Sequence, residues 1–99
     1  MANAERMEEQ MKALSLISEQ GEEGTTRLSY TPEYRKGADY IKKLMEEAGL
    51  TVREDAAGLV WGLLPGTDPD APKLISGSHL DTVRCSGFYD GQAGIICAL

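Results

Sequence analysis

The chain has 99 residues, 41% of them hydrophobic and 26% charged, with a formal net charge of −6, which predicts one soluble domain with a small core. An acidic chain without a Lys/Arg cluster lacks the basic surface that nucleic acid or an anionic membrane rewards, so neither is expected as a partner. Two cysteines, Cys85 and Cys97, build no disulfide framework, and with no basic, apolar leader and no apolar run of about 18 residues the expected compartment is the cytoplasm.

In chain order, residues 4–20 read as an amphipathic helix with Met7, Met11, Leu14 and Ile17 at helical spacing and Gly21 as the stop. Residues 21–30 read as a loop, in which Arg27 either meets an anion or, as is commoner, forms a surface contact or salt bridge. Thr31 as N-cap, Pro32 at the first position, Glu33 in the first turn and Gly49 at the end predict a second helix, with Ala38, Ile41, Leu44, Met45 and Ala48 buried. Residues 50–55 and 59–64 read as two strands of a hairpin turning around Ala56, Ala57 and Gly58. Residues 65–72, dense in Pro, Gly and Asp, read as a solvated turn in which Asp68 and Asp70 are not ligands. Residues 73–78 then predict a buried strand, and an apolar run from Ile95 to Leu99 predicts a last helix starting at Asp90, with Cys97 in the core. The order of elements implies an α/β layer with a mixed sheet flanked by helices.

The chemistry concentrates between Leu74 and Gly94. The only histidine, His79, stands two positions ahead of Asp81, and Asp90 follows eleven residues after His79. Singly, these are a satisfied histidine, a turn cap and a helix N-cap. Together, at the carboxyl end of a strand where open α/β sheets place their sites, they form a set suited to a metal. Zinc takes imidazole nitrogen and carboxylate oxygen, and a carboxylate has two oxygens, so Asp90 is the candidate bridge between two ions. Asp81 is near enough to orient the imidazole of His79. Cys85 lies in the intervening loop.

The motifs GSHLDTV and YDGQAG (residues 77–83 and 89–94), with TRLSYTPEYRKGADYIKKLMEEAGLTVREDAAG (residues 26–58) upstream, resemble the di-zinc aminopeptidase-like hydrolases. Within them the likeness is to the branch of N-carbamoyl-L-amino acid hydrolases and allantoate amidohydrolases, and it spans roughly residues 20–99. The resemblance implies that His79 is a ligand of the first metal, that Asp90 bridges both metals and that Asp81 is the non-ligand acid behind the histidine. Departures from the pattern are Leu59 in place of an asparagine, Arg84, Cys85 and Ser86 in place of proline, asparagine and glycine, and Phe88 in place of a polar or basic residue. They bear on substrate identity more than on the metals.

The resemblance implies metal-dependent hydrolysis of a non-peptide C–N bond in an N-carbamoyl amino acid, allantoate or a related ureido compound. It also implies two Zn2+ ions, replaceable by Mn2+ or Co2+, and a homodimer at full length. A dipeptidase or aminoacylase of the same superfamily is the alternative within this chemistry. Because the family's basic glutamate, its further histidines and its lid domain have no counterpart here, residues 1–99 are expected to be the N-terminal portion of a catalytic domain. By itself that portion is expected to be inactive, and a non-catalytic, self-associating fragment is the rival reading.

Overall fold

The computed structural model describes residues 2–19 and 23–99. Five elements follow in order: α1 (Ala4–Ser15), α2 (Pro32–Glu47), β1 (Thr51–Glu54), β2 (Val60–Leu63) and α3 (Gln92–Ala98). Helix α2 forms where its local signals put it. The Thr31 side chain accepts from the Tyr34 amide at 3.2 Å, Pro32 occupies the first position, and Gly49 follows at φ 84°. Its inner face buries Ala38, Ile41 and Leu44, while Met45 is half-buried and Ala48, expected inside, is exposed.

Helix α1 starts with Asn3 accepting from the Arg6 amide at 3.0 Å and ends at Ser15, short of residue 20. Its last turn tightens because the Leu14 carbonyl accepts from the Ile17 amide at 3.1 Å and from Arg27 Nη1 at 2.9 Å. The following residues turn toward Thr26, whose carbonyl accepts from the Glu19 amide at 2.7 Å. The expected stop at Gly21 lies outside the described residues.

Leu14 meets Ile41, Leu44, Ile95 and Ile96 in one cluster, with Met7, Met11, Ile17, Tyr40, Met45, Leu80 and Leu99 packed around it. Each such side chain contributes about 1.5–3 kcal/mol when fully buried, so this cluster is what holds α1, α2 and α3 together. In α3, Ile95 and Ile96 take the buried face, and Cys97 falls outside it. The exposed Cys97 corrects the expectation that it belongs to the core.

Strands β1 and β2 pair antiparallel, with Thr51 opposite Leu63 and Glu54 opposite Val60. Asp55 organises the turn, accepting from the Ala57 and Leu59 amides at 3.0 Å each and from Trp61 Nε1 at 3.2 Å. Those donors, the Trp61 indole first, hold its carboxyl below the usual range. Asp70 donates its amide to Asp68 Oδ1 at 2.9 Å, so both aspartates belong to the solvated turn expected of them.

The α/β class stands, but among the described residues the sheet is this one hairpin. Residues 73–78 form no strand, and Leu74 and Ile75 are 98% and 74% exposed. A buried strand needs a neighbour for its backbone donors and acceptors. Among the described residues β1 and β2 pair only with each other, so none is offered.

Candidate metal centre

The segment carrying His79 is extended, and its side chains alternate. Leu80 packs on the core and Thr82 is buried, while His79 and Asp81 keep roughly half-exposed side chains on the other side. Thr82 is the anchor. Its amide donates to the Arg27 carbonyl at 2.9 Å, and its hydroxyl accepts from the Arg27 amide at 2.7 Å. A short bridge between Thr25 and Ser86 closes the next turn, with both amides donating across it at 3.2 and 3.0 Å. Cys85, exposed and at φ 52°, donates its amide to Thr26 Oγ1 at 2.9 Å within that turn.

Asp90 arrives from the other side. A turn at residues 87–91 brings the chain round to α3, and the helix starts at Gln92 after Gly91, which makes no side-chain cap. Asp90 is therefore not the helix N-cap. Its carboxylate instead faces the imidazole, with Oδ1 3.3 Å from His79 Nε2. The other ring nitrogen, Nδ1, lies 2.8 Å from the Asp81 carbonyl and 3.6 Å from the Asp81 carboxylate. A carbonyl only accepts, so Nδ1 is the donor in that contact, and Nε2 is the ring nitrogen that faces Asp90.

All three expected site residues are thus brought together. Of Asp81, the backbone oxygen lies nearer the ring than the carboxylate does. Two donors bound to one zinc at about 2.0–2.1 Å in tetrahedral geometry lie about 3.3–3.4 Å apart, which the Nε2 to Oδ1 spacing matches. The pair fits two positions of a metal shell. Among the described residues, no group of three or more His, Cys, Asp or Glu could hold an ion. Catalytic zinc normally takes three protein ligands, so the His79 and Asp90 pair by itself is short of a catalytic shell.

Arg27 is not a surface residue, and its Nη2 has no hydrogen-bond partner among the described residues. It is 1% exposed, and its guanidinium donates to backbone carbonyls. Sequence reasoning also missed Gly91, whose φ of 72° lets the chain pass beside His79. The available signal was a glycine directly after a carboxylate in a loop.

No family model matches the chain. The chain is 47% identical over 98 residues, 99% of its length, to the N-carbamoyl-L-amino-acid amidohydrolase of Paenarthrobacter aurescens, of which it covers 24%. It is 39% identical over 92 residues, 93% of its length, to the allantoate amidohydrolase of Escherichia coli strain K12, of which it covers 22%. A solved structure of AtUAH in complex with glyoxylate superposes with a TM-score of 0.90 at 38% identity, over 97% of this chain and 23% of that one. The chain therefore spans about a quarter of the length of the relatives it matches. Among the described residues no helix is long and apolar enough to cross a membrane.

Proposed function

The chain belongs to the family of N-carbamoyl-L-amino-acid and allantoate amidohydrolases, and from that premise we propose that the protein carrying it hydrolyses a non-peptide C–N bond. Its substrate class is the N-carbamoyl amino acids, allantoate and related small ureido compounds. Residues 1–99 supply the N-terminal portion of the catalytic domain, and the complete protein works as a cytoplasmic homodimer. The observation that supports this reading best is the His79 to Asp90 pair, with the imidazole oriented by the Asp81 carbonyl at its other nitrogen.

In the proposed mechanism His79 and Asp90 hold divalent metal, and zinc suits their nitrogen and oxygen donors, with Mn2+ or Co2+ as substitutes. When bound, the metal supplies Lewis-acid polarisation of the substrate carbonyl and activation of water. Asp90, which has two carboxylate oxygens, would be the residue shared between two ions. Asp81 keeps the Nδ1 proton of His79 in place, which fixes the rotation of the ring.

The test uses the full-length protein. Dialysis against a chelator should stop turnover of N-carbamoyl amino acids and allantoate, and added Zn2+, Mn2+ or Co2+ should restore it to differing extents. Turnover that survives chelation would refute the metal reading. Hydrolysis of dipeptides or N-acyl amino acids in preference to ureido compounds would move the protein to the dipeptidase and aminoacylase branch.

A further inference from the structure

Arg27, in the loop before α2, joins the end of α1 to the segment that carries His79. Its Nη1 donates to the carbonyls of Leu14 at 2.9 Å and Ile17 at 2.8 Å, at the end of α1. Its Nε donates at 3.0 Å to the carbonyl of Leu80, the residue between His79 and Asp81. Its backbone brackets Thr82, one residue beyond Asp81. Burial pulls the guanidinium below its usual pKa, and the charge of nearby Asp81 opposes that. Carbonyls at a helix end lack intrahelical partners and carry partial negative charge, so they are suitable acceptors for a buried cation.

We propose that Arg27 is a positioning residue of the metal centre: its planar fork ties the end of α1 to the Leu80 carbonyl and so sets the place and rotation of His79. This rests on the reading of His79 and Asp90 as ligands. Leu80 and Thr82 are fixed through Arg27 on the inner side of the segment, and the residues between and beside them, His79 and Asp81, are thereby fixed on the outer side. A lysine would keep the charge but, as a single donor centre, would not hold carbonyls from α1 and from Leu80 in one plane. Helix α2 backs the arrangement, since a Cβ at Gly37 would lie 2.8 Å from Arg27 Cδ and 3.2 Å from its Nε.

The experiment compares Arg27→Lys, Arg27→Ala, Gly37→Ala and His79→Ala in the full-length protein. Each is freed of metal and titrated with Co2+, following the ligand-field spectrum and the dissociation constant, with circular dichroism reporting the folded fraction. Arg27→Lys is expected to weaken Co2+ binding about 10- to 100-fold per folded molecule and to change the spectrum, as loss of a group that orients a ligand does. Guanidinium ion at millimolar concentration should recover part of the affinity in Arg27→Ala. Gly37→Ala, which displaces the Arg27 side chain from a helix that tolerates alanine, should weaken binding in the same direction even where the Arg27 variants fail to fold. Wild-type affinity and spectrum in folded Arg27→Lys and in Gly37→Ala would overturn the proposal and leave Arg27 a structural residue. Wild-type Co2+ binding by His79→Ala would instead overturn the ligand reading beneath it.

Discussion

Gly91 lies against the ring of His79, so closely that a Cβ at position 91 would come within 2.6 Å of Cε1 and 2.7 Å of Nδ1. Its φ of 72° adds a second reason for glycine there. Gly91→Ala is expected to cost about 1–2 kcal/mol for the left-handed backbone alone. Because the methyl group would also meet the His79 carbonyl oxygen and displace the imidazole, both stability and metal affinity should fall. Denaturant titration beside metal titration in the full-length protein separates the two, and unchanged metal affinity would show that the ring tolerates the methyl group.

His79→Ala or Asp90→Ala in the full-length protein should abolish activity and lower metal content, since each removes a donor. Asp81→Asn should cost about tenfold or less, because the atom nearest His79 Nδ1 is the backbone oxygen, which that change leaves in place. Elemental analysis of the purified variants with initial rates is the check. Full activity in Asp90→Ala would remove Asp90 from the metal.

Glu54 gives a pH dependence of known sign. Arg35 donates to it twice, at 2.8 and 2.7 Å, Lys42 also contacts it, and together they hold its carboxyl down at about 2. A carboxylate depressed in the folded state contributes stability that is present above its unfolded pKa of roughly 4.3 and is lost as pH falls through about 2. Glu54→Gln should therefore be less stable than wild type at pH 7, with the gap closing between about pH 4 and pH 2. Thermal melts of both proteins across that range would show it, and a gap that persisted at pH 2 would contradict the ion-pair origin. Added salt should narrow the gap at pH 7, since the cluster is open to solvent.

The 99 residues expressed alone should self-associate. Leu74 and Ile75 stand exposed, as do Leu63 and Leu64, and exposed apolar surface of this kind drives association. Leu74→Asp with Ile75→Asp should shift sedimentation toward monomer. A monomer at high concentration without those changes would show that the exposed residues are harmless.

What the sequence disclosed follows from the range of each interaction. Helix α2 was legible because Thr31, Pro32 and Gly49 act within a few residues of themselves, and the hairpin because Asp55 and Gly58 do the same. The His79, Asp81 and Asp90 group was legible because one histidine and two acids stand in a stretch of small and apolar residues. The strand expected at residues 73–78 was not, since a strand exists only through its neighbours, and an apolar pair such as Leu74 and Ile75 cannot report whether neighbours are present. Arg27 was misjudged for a related reason. This buried arginine bonds through Nε and Nη1 to carbonyls at residues 14, 17 and 80, and no local pattern announces them.

The bonds that fasten the His79 segment join residues 25–27 to residues 80–85 across sequence separations of 53 to 59 positions. Closing loops of that size costs chain entropy before any bond rewards it, whereas α2 and the hairpin form from neighbours. In refolding, the ring of His79 should thus be seated late, after helical signal is complete. The same bonds should open as a unit, so that the amides of Arg27, Thr82, Cys85 and Ser86 exchange hydrogen with one common rate, faster than the interior of α2.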